Sequence, residues 1–238
     1  MGLQTTRDTV PENLKSRLKE SYDAIAERYT EWSTRTADIR VGYLERLLAL
    51  LSPEQVDVLE IGCGAGIPTT EKLLAHSPGL RITANDLSSS QIELGRRRLA
   101  GQGLVEPGPG PGDGGDRVTW VEGDMMQLDF PAGSFDVVLG FYTIQHLPRD
   151  EQRVMIGRVA RWLRPGGYLL INFPTEEDDN VVMTGWMGEK GWVYYSAWSA
   201  EDYRQIVKDT GLEVIVNEVK QDNVQAEFLW IVGKKPGA

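Results

Sequence analysis

Cysteine occurs once in the 238 residues, as Cys63. A lone thiol cannot close an intramolecular disulfide, so the covalent frameworks of small secreted domains are excluded. Histidine is scarce too, with two residues, and no metal is expected. No apolar run approaches the ~20 residues that span a bilayer. The opening MGLQTTRDTVPENLKSR is too polar for the core of a signal peptide. A cytoplasmic protein with no membrane partner is expected. Positive charge is in deficit, with 25 Lys+Arg against 35 Asp+Glu and a net charge of −10. Such a balance opposes binding to phosphate backbones, where Lys and Arg displace counterions, and no nucleic-acid partner is expected. The one basic cluster, Arg96 to Arg98, falls on consecutive positions that a helix sets about 100° apart. Three nucleotide signatures are also missing. No Gly-Lys-Ser/Thr ends a glycine-rich loop, and no Tyr-x-x-x-Lys pair occurs. The glycines at 62, 64 and 66 are followed by Ile67 where a dinucleotide fingerprint needs its third glycine.

Apolar residues make up 41% and charged residues 25%, which suits one globular α/β domain of this length. Leu18, Tyr22, Ile25, Ala26, Tyr29 and Trp32 recur at three-and-four spacing and predict an amphipathic helix. A second helix is expected from about Ala37 to Leu51, before Ser52 and Pro53. Strand-like and helical runs then alternate: VDVLEIG, a helix over Thr69 to His76, LRITAND, a helix over Ser89 to Leu99, RVTWVEGD, FDVVLGF, a helix over Asp150 to Leu163, and GYLLINF. That order predicts βαβ units and a parallel sheet with helices on both faces. The last two runs, LEVIVNEV and AEFLWIVGK, are too close for a crossover and must pair antiparallel. Five parallel strands plus a C-terminal hairpin, seven strands in a doubly wound sheet, are therefore expected. GQGLVEPGPGPGDGGDR, from Gly101 to Arg117, holds seven glycines and three prolines and reads as a flexible insertion.

VLEIGCGAG, from Val58 to Gly66, is a strand running into a glycine turn and a helix. Glycines let the backbone bend sharply and a ligand approach where a Cβ would collide. Asp86, 24 residues after Gly62, ends the second strand, where a carboxylate can accept both hydroxyls of a ribose. It also suits the N-cap of the helix that follows. Asp124 ends the third strand beside the apolar Met125 and could take the exocyclic amine of adenine or simply close a turn.

At this point the chain resembles the class I S-adenosylmethionine-dependent methyltransferases over about residues 20 to 235. VLEIGCGAG, Asp86 in NDLS, GDMMQLDF, FDVVLGFYTIQHL and LRPGGYLLI stand in the family's order and spacing. The resemblance implies S-adenosylmethionine as cofactor and a methyl-transferring enzyme. It implies that Glu60, Gly62, Cys63 and Gly64 wrap the methionine moiety and that Asp86 with Leu87 holds the ribose. Asp124 with Met125 would hold the adenine, and Gly140 with Phe141 would line the sulfonium end. The region YDAIAERY looks like the lid helix of small-molecule members, whose aromatics close over the cofactor. Tyr22 and Tyr29 are thus either core or cofactor contacts, since a ring face near a sulfonium gains cation–π attraction.

His146 follows the fourth strand and is either a structural histidine in the HLP turn or a general base and substrate ligand, alongside Tyr22 and Tyr142. Cys63 reads as a small packing residue, because no paired base stands beside it. Between Met183 and Trp198 lie five of the chain's 20 aromatic residues. A crossover carrying so much ring surface is expected to be a substrate lid, with Trp186, Trp192, Tyr195 and Trp198 on the acceptor. One domain is expected, comprising a helical lid over 1–51 and a cofactor core over 52–173 interrupted by the insertion at 101–117. An aromatic lid over 174–198 and a last helix with the hairpin over 199–238 complete it. The expected reaction is methyl transfer to oxygen or nitrogen of a small aromatic or apolar metabolite by a monomer or homodimer. A cofactor-binding module or a cyclase that does not methylate is the alternative, and a protein substrate fits less well. Asn/Asp-Pro-Pro-aromatic, common in amino-methyltransferases of nucleic-acid bases, is replaced by Gly140-Phe141-Tyr142-Thr143.

Overall fold

A computed structural model describes residues 4–7, 9–51, 56–105, 117–222 and 226–237. The glycine- and proline-rich insertion falls largely outside the described residues. Its first positions belong to the preceding helix and its exit, where Leu104 and Val105 pack against the core.

Seven strands form the central sheet. β2 (Val56–Ile61), β3 (Leu80–Asp86), β4 (Val118–Glu122), β5 (Phe135–Gly140) and β6 (Leu163–Pro174) run parallel. β9 (Glu213–Gln221) and β10 (Glu227–Lys234) form the reversed hairpin, β10 pairing antiparallel with β6. The order is β4-β3-β2-β5-β6-β10-β9. Central strands such as β6, with its YLLINF run, are nearly continuous in apolar residues because helices cover both faces. One face packs α2 (Asp38–Leu48), α3 (Thr69–His76) and α4 (Ser89–Gly101) through Leu44, Leu47, Leu73, Ile92 and Leu99. The other packs α5 (Arg149–Trp162) and α6 (Ala200–Asp209) through Met155, Ile156, Val159, Tyr203 and Val207.

The chain winds outward from β2 through β3 to β4, then returns to β5 and β6. That reversal leaves a crevice at the C-terminal ends of β2 and β5, the place where open α/β sheets bind ligands. α1 (Leu14–Arg35) lies along this rim. It is fixed to the start of α4 by Asp23, which accepts from the Ser88 hydroxyl at 2.6 Å and the Ser90 N–H at 3.0 Å. Lys19 adds ion pairs to Asp23 and Glu122, and Lys15 pairs with Glu151 at 2.7 Å.

The lid regions differ from expectation. Residues Gln4–Arg7 are a strand, β1, rather than part of a helical segment, and they pair antiparallel with β7 (Asp178–Thr184). β7 in turn pairs antiparallel with β8 (Trp192–Ala197), making a second, three-stranded sheet where a crossover loop was expected. The register sets Val181 opposite Tyr195, Val182 opposite Tyr194 and Met183 opposite Val193. Side chains alternate across a strand, so adjacent aromatics of β8 point to opposite faces.

Candidate active site

The glycine turn follows β2. Gly62, Gly64 and Gly66 all have φ between +56° and +69°, where glycine alone is unstrained. At Gly62 a Cβ would collide with the Thr143 side chain, so Gly62→Ala should push the turn and the segment after β5 apart. The expected cost is about 1–3 kcal/mol, read as a lower Tm together with weaker cofactor binding. At Gly64 a Cβ would instead project between Tyr29 and Gln91, 3.9 and 3.8 Å away, filling a cleft that the bare backbone leaves open.

That cleft is lined by Gly62, Gly64, Asp86, Leu87, Asp124, Met125 and Phe141, and by Tyr22 and Tyr29 from α1. Asp86 accepts the Gly64 N–H at 2.8 Å on one oxygen and the Ser88 N–H at 2.9 Å on the other. A carboxylate offers about four lone-pair sites, so acceptor capacity remains for two hydroxyls. Burial raises the Asp86 pKa to about 6, against the pull of those two N–H groups. Asp124 accepts from the Met126 N–H at 3.0 Å, which starts a 3₁₀ turn at Met125, and lies 3.6 Å from Lys15.

Three residues expected on the cofactor do not line the cleft. Glu60 is buried beneath the turn, where it accepts from the Thr70 hydroxyl at 2.6 Å; burial raises its pKa to about 7. Cys63 is buried, and desolvation pushes its thiol well above the ordinary range, which agrees with a packing role. Gly140 packs against Thr143 and Ile171 within the sheet. In their place the structure brings Lys15, Leu18, Asn85, Gln91, Gly123, Thr143 and Leu147 to the lining. Leu18 stood on the α1 stripe, and Asn85 and Gly123 are the sequence neighbours of Asp86 and Asp124; the Asn85 amide donates to the carbonyls of Val121 and Gly123 and ties β3 to the β4 exit.

A second cavity, of about 280 Å³, adjoins the first. Its walls include Trp32, Tyr142, Trp186, Tyr195, Phe228, Met183 and Val193. Trp186 sits in the β7–β8 turn and packs its ring 5.7–6.2 Å from those of Tyr22, Tyr29 and Trp32. Trp192 and Trp198, expected on the acceptor, lie outside the cavity. Trp192 has the other strand parity from Val193 and Tyr195, so it turns toward Leu14 and Leu18 and beneath the Arg17 guanidinium. Trp198 lies beyond the strand between Arg149 and Arg153 on the α5 side. Arg40, Gln145 and Phe228 are cavity residues that no local pattern distinguished, and Trp32 joins them from the apolar stripe of α1.

Tyr22, Tyr29, Tyr142 and His146 line both cavities and mark their junction. Tyr142 holds φ of +54°, a conformation costly for a non-glycine residue, and its N–H donates to Asn172 at 2.8 Å. His146 Nδ1 lies 2.7 Å from the Tyr194 carbonyl, and Nε2 lies 3.0 Å from the Tyr22 hydroxyl. A carbonyl only accepts, so Nδ1 carries the proton, and the bare Nε2 accepts from Tyr22. Burial lowers the His146 pKa, which keeps the ring neutral with Nε2 unprotonated. Burial likewise raises Tyr22 and Tyr29, holding both hydroxyls protonated.

Among the described residues no cluster of His, Cys, Asp and Glu could hold a metal, and no helix is long and apolar enough to cross a membrane. A reversed-hairpin doubly wound sheet, a glycine turn without phosphate groups and an acid at the β3 tip define the class I S-adenosylmethionine-dependent methyltransferases, and the chain belongs to them. Residues 58–167 match the family described as "Methyltransferase domain". The chain is 31% identical over 176 residues to 27-O-demethylrifamycin SV methyltransferase of Amycolatopsis mediterranei, covering 71% of this chain and 58% of that protein. It is 30% identical over 172 residues to sterol 24-C-methyltransferase of Eremothecium gossypii, covering 70% and 42%. The chain thus spans about half the length of these curated relatives. Its fold also matches Burkholderia thailandensis 1,6-didemethyltoxoflavin-N1-methyltransferase, with bound 1,6-didemethyltoxoflavin and S-adenosylhomocysteine, at TM-score 0.71 and 17% identity over 97% of this chain and 92% of that one.

Proposed function

We propose that this protein methylates an oxygen or nitrogen of a small planar metabolite. The observation that carries the reading is the junction: the glycine-turn cleft and the aromatic cavity meet at Tyr22, Tyr29, Tyr142 and His146. The open space at Gly64 and the spare acceptor sites of Asp86 fit the cofactor. Gly62 and Gly64 would admit its methionine portion, Asp86 its ribose, and Asp124 with Met125 its adenine. When bound, S-adenosylmethionine supplies an electrophilic methyl group on a sulfonium.

The chain's own part is positioning, water exclusion and one proton. Holding nucleophile and methyl in line can supply up to ~7–11 kcal/mol of rate acceleration in favourable cases. Trp186 and the α1 aromatics close the junction to solvent. An acceptor hydroxyl entering beside Tyr22 can pass its proton to the Tyr22 oxygen as the Tyr22 proton moves to His146 Nε2. The imidazolium so formed is stabilised by the Tyr194 carbonyl. Relatives named for rifamycin and sterol substrates, and a fold neighbour holding a toxoflavin precursor, support a small-molecule acceptor. A cavity of about 280 Å³ is roughly twice the ~150 Å³ that accommodates benzene, which favours about two rings over four.

Incubation with labelled S-adenosylmethionine and fractionated metabolite extract should give labelled small product with multiple turnovers. Stoichiometric binding without turnover would overturn the reading. Within the site, Trp186→Ala should raise the acceptor KM about 5- to 10-fold with little change in cofactor affinity, since one ring contact is worth about 0.5–1.5 kcal/mol. Trp192→Ala should instead cost about 3–5 kcal/mol of stability and leave KM unchanged.

A further inference from the structure

Among the described residues, Arg40 is the one lysine or arginine on the aromatic cavity. It is only 8% exposed. Its Nη2 donates to the Ser33 carbonyl at 3.0 Å, and its guanidinium stands 6.0 Å from the Tyr142 ring centre. Its Nε is buried with no hydrogen-bond partner. Gln145 Oε1, on the same lining, is likewise buried without a partner. A guanidinium withdrawn from water normally has a carboxylate or a full set of acceptors, because an uncompensated buried charge is costly. Asp222 also lines the cavity, and it and Arg40 act in opposite directions on the Tyr142 hydroxyl, which burial and the carboxylate together hold protonated.

We propose that Arg40 recognises an oxyanion on the methyl acceptor, so that the substrate is a planar aromatic acid carrying a carboxylate or an ionised enol or phenol. The inference rests on the reading of this cavity as the acceptor pocket. A planar oxyanion matches the fork of Arg donors, and the ring it is attached to fits against Tyr142 and Trp186. Gln145 Oε1 would accept a donor on the same molecule. With the cofactor bound, its sulfonium would add a second positive charge to the site, so an anionic acceptor would be drawn toward the methyl group as well as toward Arg40.

Binding can be tested without knowing the natural substrate. 2-Naphthoate, 2-naphthol and methyl 2-naphthoate are titrated by calorimetry into the full chain with S-adenosylhomocysteine present. The wild type should bind naphthoate or ionised naphthol at least tenfold tighter than the ester. Tighter naphthoate assigns a carboxylate, and naphthol binding that strengthens with pH assigns a phenolate. Arg40→Met, which keeps a long apolar stem, should bring the preferred oxyanion and the ester to within twofold. S-adenosylhomocysteine affinity should stay within twofold of wild type and report an intact fold. Equal affinity of oxyanion and ester for the wild type, or binding of neither oxyanion, would overturn the proposal whether or not the variant folds. So would a preference that survives in Arg40→Met. Turnover is read separately: oxyanion selectivity without methyl transfer to any acceptor would sink the proposed activity and leave the Arg40 assignment standing.

Discussion

Replacing His146 by glutamine should lower kcat by about 10²- to 10⁴-fold, the usual contribution of a positioned acid–base group. Glutamine keeps a polar side chain but cannot take up the proton that leaves the acceptor. Cofactor affinity should change much less than kcat, because the glycine turn, Asp86 and Asp124 make no hydrogen bond to the imidazole. Tyr22→Phe removes the hydroxyl between acceptor and imidazole and should cost less, since His146 Nε2 can then face the acceptor directly. The pH profile gives an independent reading. A base works unprotonated, and burial lowers the His146 pKa. Activity should therefore persist below pH 6.5 and fall only on the acid side of that value. Wild-type turnover in His146→Gln would remove the residue from the chemistry and leave it as the strut between Tyr22 and the Tyr194 carbonyl.

Asp86→Ala should weaken S-adenosylmethionine binding by about 1.5–3 kcal/mol, or roughly 10- to 150-fold, through loss of charge-assisted hydrogen bonds. It also removes the acceptor for the Gly64 and Ser88 N–H groups, which hold the glycine turn against the α4 start. The cofactor's hydroxyls favour the ionised carboxylate, whose pKa is about 6 in the ligand-free protein. Affinity should then fall as pH drops through about 6, and Asp86→Asn should abolish that dependence. Stability carries the opposite sign. Because the folded-state pKa lies above the unfolded value near ~3.9, the native state binds more protons between about pH 4 and 6. The ligand-free protein therefore loses stability as pH rises across that window. Calorimetry showing unchanged affinity in Asp86→Ala would take this carboxylate out of the site.

Much of the frame was legible in local sequence. Alternating strand and helix runs anticipate the five parallel strands, and the close spacing of the last two runs anticipates their reversal, because pairing direction follows from connection length. Helix bounds came out within a few residues except at α1, which begins at Leu14 and ends at Arg35. The glycine turn and the acids after β3 and β4 were readable because each carries a local chemical requirement: positive φ, or a carboxylate at a strand tip.

What local pattern could not show depends on contacts between distant parts of the chain. β1 pairs with β7 across more than 170 positions, and only that pairing turns an expected aromatic loop into a sheet. The resulting register, with its strict alternation of sides, places Tyr195 in the cavity and turns Trp192 away. All the aromatics looked equivalent as composition; strand parity separates them. Arg40 looked like any arginine on an amphipathic helix, and it is buried because α2 packs against the sheet while Ser33, Tyr142 and Phe228 close around it. By itself the sequence determined the sheet, the turn and the acids at the β3 and β4 tips, since those are properties of short segments. Tertiary structure alone decided the aromatic cavity, because its walls come from α1, α2, the exit of β5, the β7–β8 hairpin and β10, and burial and charge balance exist only where they meet.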